Sequence, residues 1–437
     1  MKAYSAYKDS GLPWVGKIPA HWDVFRGKRL FTEMNRPVRD EDGVVTAFRD
    51  GVVTLRSKRR TEGFTNSILE IGYQGIRKGD LVIHQMDGAA GAIGVSDSDG
   101  KGTPVYIVCV PRADANTYYY GYLLRQMARS GYIYSLAKGI RERSTEFRWS
   151  EFSIQDYPVP PREEQDAIVS FLDSKLADID RYIAEKERLI ELLQEQKTAI
   201  INQAVTRGIN PQVRMKDSGI EWLGEIPEGW EINSLKQIAS VRLSGVDKHT
   251  YENEIPVKLC NYTDVYNRDF ITPDLDFMLA TATESETRNF ALAAGDVLVT
   301  KDSETWDDIA VPAYVPQNLD DVICGYHLAL IRPKKQRVNG EFLFRALSAP
   351  QIEYQSNISA NGVTRYGLSK YAIKNVLVPM PPINEQEEIC KFITREIEKI
   401  NISIVCTQKE ITLIEEYRTA LIAEAVTGKM DVRAIHE

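Results

Sequence analysis

The sequence contains one unusual motif twice, and this duplication constrains the fold more than any other feature. Residues 8–24 read KDSGLPWVGKIPAHWDV and residues 216–232 read KDSGIEWLGEIPEGWEI, with nine identities in seventeen positions. A second pair of motifs follows, VPPREEQDAIVSFL at 159–172 and MPPINEQEEICKFI at 380–393. Repetition of whole motifs in the same order indicates a chain built from two related halves. We call the first motif the tryptophan segment.

Each PPxxEQ motif opens a segment of roughly 45 residues without proline or glycine, at 1.5 Å per residue about 65 Å of helix. Apolar residues in both segments are spaced 4, 4, 3, 4, 7 and 3, the pattern of a helix that packs on one partner helix. A lone helix would expose this stripe to water, so we predict that the two copies bury their stripes against each other. The predicted seam consists of Ile168, Leu172, Leu176, Ile179, Ile183, Ile190, Leu193, Ile389, Ile393, Ile397, Ile400, Ile404, Ile411 and Ile414.

The regions between these motifs mix short alternating apolar runs with short helical stretches, which predicts compact α/β (α+β) globular domains. The predicted architecture is two such domains in tandem, separated by two long antiparallel α-helices that form a coiled coil, with an internal pseudo-two-fold repeat. The predicted segments are 1–157 (first globular domain with its tryptophan segment), 158–211 (first long helix), 212–380 (second globular domain with its tryptophan segment) and 381–437 (second long helix and C-terminal tail).

Composition excludes several classes of protein. No apolar stretch approaches the roughly eighteen residues that a membrane span needs, and the polar N-terminus lacks a secretory signal. The five cysteines lie far apart without a CxxC pair, which favours a reduced, cytoplasmic location and argues against a zinc site. The net charge of −8 does not exclude nucleic acid, because residues 1–157 hold 23 basic and 18 acidic residues.

The two tryptophan segments, the PPxxEQ helix starts and the AVT helix ends together resemble the specificity subunit of type I restriction–modification systems. The resemblance covers essentially the whole chain. It implies two target-recognition domains separated by conserved helices, which read a bipartite, asymmetric DNA target. A two-headed protein with pseudo-dyad symmetry also suits two separated half-sites on duplex DNA.

The resemblance further implies the partners and the division of labour. The partners would be double-stranded DNA, two adenine methyltransferase (modification) subunits and, for cleavage, motor–endonuclease (restriction) subunits. This chain would hold no cofactor, since S-adenosylmethionine, and ATP with Mg, would belong to the partner subunits. The chain accordingly lacks a methyltransferase Asn/Asp-Pro-Pro-aromatic loop and a GxxxxGK[ST] phosphate loop, so we predict that it is not an enzyme.

Basic runs at corresponding places in the two halves predict the DNA contacts. Arg and Lys bind guanine or phosphate, and Asn can pair with adenine; the alternative is that these runs are solvated loops. The candidate DNA-binding residues are Arg56, Lys58, Arg59, Arg60, Lys138, Arg141, Arg143, Arg148, Lys258, Asn261, Tyr262, Lys301, Arg365, Tyr366 and Lys370.

The repeated Trp14, Trp22, Trp222 and Trp230 are predicted to anchor each domain in a core, or to dock partner subunits, and the two roles are compatible. Together with Lys301, an acidic group could suggest a nuclease metal site; its members are Asp296, Asp302, Glu304, Asp307 and Asp308. However, position 299 is Val where such a site wants an acidic residue, so we favour a structural or DNA-facing loop.

Two other interpretations stay open at this stage. One is a fused restriction–methylation enzyme without recognisable motifs. The other is a coiled-coil protein-interaction scaffold without specific DNA binding.

Overall fold

The computed structural model describes residues 3–59, 71–112, 114–136 and 147–435. The fold is mixed α/β with long helices, as predicted. The chain divides into two compact units, residues 1–186 with 409–437 (unit 1) and residues 187–408 (unit 2). Each unit therefore combines a globular part with portions of both long helices. The four predicted segments, in contrast, assign the globular domains and the long helices to different parts of the chain.

Unit 1 contains short strands, short helices and the start of one long helix. Its strands are β1 (Tyr7–Leu12), β2 (Gly16–Pro19), β3 (Asp23–Arg26), β4 (Phe31–Met34), β5 (Val45–Ala47), β6 (Val53–Leu55), β7 (Gln74–Ile76), β8 (Leu81–His84), β9 (Ile93–Val95), β10 (Gly100–Gly102), β11 (Tyr106–Pro111) and β12 (Asp156–Val159). The helices that start in this unit are α1 (Gly27–Leu30), α2 (Arg56–Arg59), α3 (Thr117–Arg129), α4 (Tyr132–Leu136), α5 (Trp149–Ile154) and the long α6 (Arg162–Arg207).

Unit 2 follows a similar order of elements. Its strands are β13 (Met215–Asp217), β14 (Glu225–Pro227), β15 (Glu231–Ser234), β16 (Ala239–Leu243), β17 (Ile255–Cys260), β18 (Met278–Ala282), β19 (Val297–Thr300), β20 (Asp302–Ser303), β21 (Pro312–Tyr314), β22 (Val322–Cys324), β23 (Leu328–Pro333), β24 (Tyr366–Gly367) and β25 (Leu377–Met380). Its helices are α7 (Leu235–Ile238), α8 (Tyr262–Tyr266), α9 (Glu284–Phe290), α10 (Gly340–Leu347), α11 (Pro350–Ser359), α12 (Lys370–Asn375) and the long α13 (Ile383–Val426).

A four-stranded antiparallel sheet forms the centre of each globular part, in the order β4-β11-β8-β9 in unit 1 and β16-β23-β19-β21 in unit 2. The strand β8 is buried on both faces: Leu81 and Ile83 pack in the main core, and Val82 packs in a second cluster. The strand β19 of unit 2 is also buried on both faces: Val297 and Val299 pack in one cluster, and Leu298 packs in another. Two-sided burial explains why both strands are continuous apolar runs rather than alternating ones.

The globular part of each unit is closed by pairing of its first and last strands. The strand β3 pairs with β12 in unit 1, and β15 pairs with β25 in unit 2, both antiparallel. The tryptophan segments form the small hairpins β1-β2 and β13-β14 that precede these strands. Each PPxxEQ motif therefore leaves the globular part beside the tryptophan segment of its own unit.

The long helices have 46 and 44 residues, and glycines follow both helix ends. Gly208 comes directly after α6 and has φ +77°, and Gly428 stands two residues after α13 with φ +71°. Only glycine adopts this left-handed conformation without strain, which is the usual way a helix is terminated. An absence of proline and glycine inside the helices and a glycine after them thus set their length.

Portions of the two long helices pair inside unit 1. Arg418 forms an ion pair with Asp180, and Lys186 Nζ lies 2.6 Å from Glu410 Oε2. Residue numbers rise along α6 as they fall along α13, so these portions run antiparallel. In unit 2, Ile201 of α6 shares a core cluster with Ile389 of α13.

The predicted seam residues are covered. All fourteen are buried or half-buried, although charged neighbours on both helices are exposed. The best-buried members are those nearest the globular parts, such as Ile168 and Leu172 in unit 1 and Ile389 and Ile393 in unit 2.

The Glu-Gln pair of PPxxEQ ties three parts of unit 1 together. Glu164 accepts a hydrogen bond of 3.0 Å from the indole Nε1 of Trp22 in the tryptophan segment. Gln165 donates to the carbonyl of Pro160 at 2.9 Å and accepts from the backbone N–H of Asn116 at 2.8 Å, immediately before α3. This pair joins the long helix to the tryptophan segment and to the globular part.

Unit 2 repeats these contacts with its own residues. Trp230 Nε1 donates to Glu385 Oε1 at 3.1 Å. Gln386 donates to the carbonyl of Pro381 at 2.9 Å and accepts from the backbone N–H of Asn339 at 2.8 Å, immediately before α10. The same hydrogen bonds at the same motif positions explain why the chain contains each motif twice.

The glycines at the helix ends complete each junction. A Cβ on Gly428 would meet Pro19 and come within 2.8 Å of the Trp22 ring, and one on Gly208 would lie 3.3 Å from the Trp230 ring. Each tryptophan segment thus contacts the start of one long helix and the segment that ends the other. Close packing, in addition to backbone conformation, requires glycine here.

The buried glutamines lead to a prediction about local stability. Gln386→Ala leaves the N–H of Asn339 and the carbonyl of Pro381 without their partner, which should cost about 3 kcal/mol. Hydrogen–deuterium exchange should show faster exchange of the amides at the start of α10. The exposed Glu387→Ala is the matched control and should leave exchange unchanged; equal exchange in the two variants would show that Gln386 is dispensable.

Candidate nucleic-acid interface

The basic run that the sequence singled out forms a short helix in unit 1. The hairpin β5-β6 leads directly into α2, so Arg56, Lys58 and Arg59 project from a fixed edge. Lys58 and Arg59 are exposed, and Arg56 is half-buried with its Nε 3.4 Å from Thr46 Oγ1. Arg60 lies outside the described residues.

Acidic neighbours in the same unit engage these cations. Both terminal nitrogens of Arg59 donate to the carboxylate of Asp50, one of them at 2.9 Å, and its guanidinium lies 4.3 Å from the centre of the Phe48 ring. The hydrogen bond from Arg59 lowers the pKa of Asp50. Lys58 Nζ donates to Ser98 Oγ at 2.6 Å and lies 3.6 Å from Asp97. The run is therefore oriented, but its charge is partly neutralised.

The second basic run of the first half is described only at its end. Lys138, Arg141 and Arg143 lie outside the described residues. Arg148 is exposed and immediately precedes α5. The buried Phe147 next to it anchors this stretch, because its N–H bonds to the carbonyl of Gln85 at 2.9 Å.

Several candidates come together in unit 2 around the strand pair β20-β24, where Ser303 faces Tyr366. Lys301 precedes β20, and its carbonyl accepts from the N–H of Leu368 at 2.8 Å. Lys301 Nζ lies 4.6 Å from the centre of the Tyr326 ring and 3.8 Å from Asp302 Oδ2. The lysine is thus fixed beside an exposed aromatic ring.

A histidine under backbone strain adjoins this lysine. His327 has φ +72°, a conformation that costs non-glycine residues of order 1 kcal/mol and often marks functional sites. Its Nδ1 lies 2.7 Å from Asp302 Oδ2, and its ring packs edge-on to Tyr326 at 4.1 Å. The contact with Asp302 and the ring contact hold the histidine in place.

Two tyrosines of α8 extend the same surface. Tyr262 and Tyr266 stack with ring centres 5.5 Å apart, and Tyr266 donates to Asp308 at 2.7 Å. Burial raises the pKa of Tyr262, which Ser303 and the exposed Arg365 counteract. We call the set Tyr262, Tyr266, Lys301, Tyr326, His327 and Arg365 the aromatic–basic surface. Exposed rings with cations among them suit stacking and phosphate contacts.

The other candidates of unit 2 lie at varied positions. Lys258 is exposed on β17, and Lys370 is exposed at the first position of α12. Asn261 is half-buried just before α8; its N–H bonds to Asp264 at 2.8 Å, and its side chain lies 3.5 Å from the carbonyl of Leu259. The asparagine thus helps to start a helix, a local role that its place before α8 explains.

Sequence reasoning missed Tyr266, Tyr326 and the contact of His327 with Asp302. No metal-ligand spacing surrounds His327 in the sequence that would single it out. Its positive φ leaves no trace in the sequence. The tyrosine pair did offer a signal, since a spacing of four places both rings on one helix face.

The tryptophans divide into two kinds. Trp22 and Trp230 are almost fully buried in their units. Trp14 and Trp222 are half-buried, and Trp14 stacks on Tyr132 with ring centres 6.0 Å apart. The first pair has the environment of core anchors, and the second pair keeps part of each ring accessible.

Metal-ligand groups and membrane-spanning helices are both absent from the described residues. Over residues 3–59, 71–112, 114–136 and 147–435, no three His, Cys, Asp or Glu side chains are grouped as metal ligands. In that part of the chain no helix is long and apolar enough to cross a membrane.

The family model and the relatives that match this chain agree with one another. Residues 227–413 match the model of the type I restriction modification DNA specificity domain. A putative type I restriction enzyme MjaX specificity subunit of Methanocaldococcus jannaschii is 25% identical over 454 aligned residues, covering 96% of each chain. The EcoBI specificity subunit of Escherichia coli is 24% identical and covers 64% of this chain and 60% of its own. These relatives are named as specificity subunits, in agreement with the prediction that this chain is not an enzyme.

Solved structures show the same fold. A chain from a structural study of assembly and conformational transition of the type I R-M system matches with a TM-score of 0.67 at 13% identity, covering 94% of this chain and 99% of its own. The HsdS subunit from Thermoanaerobacter tengcongensis matches with a TM-score of 0.54 at 15% identity, covering 94% and 98%. The family model and the names of the relatives confirm the resemblance to specificity subunits of type I restriction–modification systems, and residues 227–413 match the type I restriction modification DNA specificity domain.

Proposed function

We propose that the chain is the sequence-specific DNA-recognition subunit of a type I restriction–modification complex and reads a bipartite, asymmetric target. Each unit would read one half of the target. The proposed contacts are α2 with the basic residues around 138–148 in unit 1, and the aromatic–basic surface with Lys258, Asn261, Tyr366 and Lys370 in unit 2. The different chemistry of these two surfaces fits two half-sites of different sequence.

The observation that carries this proposal is the identical set of hydrogen bonds at the two helix starts. Trp22, Glu164 and Gln165 in unit 1 correspond one for one to Trp230, Glu385 and Gln386 in unit 2. The attachment of the globular parts is thus the same in both units, while the exposed candidate surfaces differ. Constant attachment with variable surfaces is the arrangement expected of a reader of two unlike half-sites.

The finer architecture belongs to the same proposal. The two long helices would form an antiparallel coiled coil, and the two halves of the chain would be related by a pseudo-two-fold axis. The antiparallel ion pairs of unit 1 and the mixed helix cluster of unit 2 support this arrangement. Residues 1–157 and 212–380 would then be the two target-recognition domains, with 158–211 and 381–437 as the conserved helices.

The partners follow from the proposed role. The chain would position two adenine methyltransferase subunits, one for each strand, and would also bind motor–endonuclease subunits. Each target adenine must leave the base stack to reach a catalytic pocket. S-adenosylmethionine and ATP with Mg would be bound by those partners, in the cytoplasm. The half-buried Trp14 and Trp222 would help to dock these partners.

The rival interpretation as a protein-interaction scaffold makes a different prediction about affinity. A scaffold would bind random duplexes as weakly as any acidic protein, with no preferred sequence. The strained His327 and the fixed Lys301 beside exposed rings favour a reader, because a scaffold has no use for a rigid array of this kind.

The main test assigns each unit to its own half-site. The complex of this chain with its methyltransferases would methylate genomic DNA, and mapping the modified adenines gives the target. Lys58→Ala with Arg59→Ala should lower affinity for that duplex about tenfold and relax discrimination in one half. Arg365→Ala with Lys370→Ala should do the same in the other half. Loss of discrimination at the same base pairs in both variants, or a continuous target, would contradict the proposal.

A second test uses the carboxylate that holds Arg59. Asp50→Asn removes the competing charge, so duplex binding should tighten about threefold at low salt and the salt slope should steepen by up to about 1. Fluorescence anisotropy of a labelled duplex at several salt concentrations measures both. The exposed Glu41→Gln makes the same change in net charge elsewhere in the unit. If both variants tighten binding equally, Arg59 does not contact DNA.

A further inference from the structure

A hairpin in unit 2 carries an apolar side chain at its tip. The backbone N–H of Asn361 bonds to the carbonyl of Gly367 at 3.2 Å, and the N–H of Gly367 bonds back to the carbonyl of Asn361 at 3.0 Å. These two bonds close a loop of five residues, Gly-Val-Thr-Arg-Tyr. Val363 in this loop is 95% exposed, more than any other large apolar residue among those that the structure describes. The side chain therefore has no part in the core of its unit.

The shape of this hairpin is fixed by contacts at its base and at its turn. The strand β24 pairs with β20, and the N–H of the buried Leu368 bonds to the carbonyl of Lys301 at 2.8 Å. A Cβ on Gly362 would overlap the carbonyl oxygen of Arg365, so the turn closes this tightly only with glycine. Val363 is thus presented to the outside on a turn of defined shape.

Cations without carboxylate partners accompany this apolar tip. Residues 354–384 contain no Asp or Glu, although 62 of the 437 residues of the chain are acidic. Arg365 and Lys370 are exposed in this stretch, and among the described residues no ion pair joins either of them to a carboxylate. The cations of α2 in unit 1, in contrast, are engaged by aspartates. The two exposed cations beside the tip are therefore available for phosphate groups.

Acidic residues do occur on the neighbouring loop, which follows β20. It holds Glu304, Asp307 and Asp308, and Asp308 accepts a hydrogen bond from Tyr266 at 2.7 Å. The charge around the hairpin is therefore mixed and does not by itself select a ligand. The group that can select one is the apolar tip.

The chemistry of the tip fits one feature of duplex DNA. The major groove admits a two-stranded β-ribbon, and the only methyl group displayed there is the 5-methyl of thymine. Valine has two methyl groups and no polar side-chain atom, so it gains from contact with that methyl and offers nothing to the donors and acceptors of the other bases. Side chains that wedge between stacked bases are larger, such as Phe, Leu or Met. Val363 has no atom beyond its γ-methyls and suits the groove edge.

We propose that Val363 reads one thymine in the half-site of unit 2 by contact with its 5-methyl group, while Arg365 and Lys370 bind neighbouring phosphates. This inference rests on the DNA-reading role proposed above and assigns one base to one side chain. Duplex DNA is favoured over a partner protein because the hairpin is continuous with the aromatic–basic surface, of which Arg365 is a member. Residues 227–413, which include the hairpin, also match a DNA specificity domain.

The test removes the contact from the DNA and from the protein in turn. Deoxyuridine, which lacks only the methyl group, replaces each thymine singly in the half-site that the Arg365 and Lys370 variants assign to unit 2. Fluorescence anisotropy measures the Kd of the complex of this chain with its methyltransferases. For the wild type, one replacement should raise the Kd about three- to fourfold, as expected for one buried methyl group. Val363→Ala should raise the Kd for the thymine duplex by a similar factor and should abolish the sensitivity to deoxyuridine.

Ile255→Ala is the matched control, because Ile255 is an exposed apolar residue at the end of β17 that is remote from α8. It should keep the wild-type Kd on every duplex. Thermal unfolding should be unchanged in both variants, since both side chains are exposed.

The inference is overturned if the half-site holds no thymine, if no deoxyuridine replacement changes the Kd, or if the effects of Val363→Ala and deoxyuridine add as independent changes. Unchanged DNA affinity with weaker methyltransferase binding in Val363→Ala would also overturn it, in favour of a protein contact. A complex that prefers no sequence at all would refute the DNA-reading role and this inference with it. A complex that reads its target but ignores the methyl group would refute this inference alone.

Discussion

The glutamate and the buried glutamine at the start of each long helix form the interaction on which the rest of the structure depends. A glutamine that bonds both its own proline carbonyl and the N–H before a domain helix leaves little freedom between helix and globular part. The glutamate beside it binds an indole N–H from a segment more than 140 residues away. Because the glutamines are buried, removing one leaves its backbone partners without a hydrogen bond, so these contacts are maintained as a set.

The same hydrogen bonds attach both long helices, but the two glutamate carboxylates, Glu164 and Glu385, differ in how many donors surround them. Glu164 is 3% exposed and receives, in addition to Trp22, contacts from Tyr4, His21 and Arg433. Glu385 is half-buried, and water can solvate it. A carboxylate removed from water needs several donors, and both ends of the chain meet at unit 1 to supply them.

The periodic features of the fold could be predicted from sequence, and the features that depend on distant contacts could not. Apolar spacing predicted long helices and a covered stripe, because the helical period is a local property. The pairing of Arg59 with Asp50 involves residues nine apart across a hairpin, and no periodicity encodes it. The conformation of His327 is accompanied by contacts with Lys301 and Asp302, about 25 residues earlier in the chain. The motif repeat predicted a shared attachment, but the hydrogen bonds that explain it appear only in the folded chain.

Partial neutralisation of the candidate DNA-binding cations has a functional consequence. A cation that is already paired gains less from a phosphate, because the new contact replaces an existing one and releases fewer counterions overall. Under the proposed DNA-reading role, nonspecific affinity would thereby be reduced, whereas a base that matches the oriented guanidinium would still gain its directional hydrogen bonds. On a chain with a net charge of −8, self-pairing of this kind would shift the balance from electrostatic attraction toward sequence discrimination. A reader that must ignore most of a genome needs that ratio more than it needs tight binding.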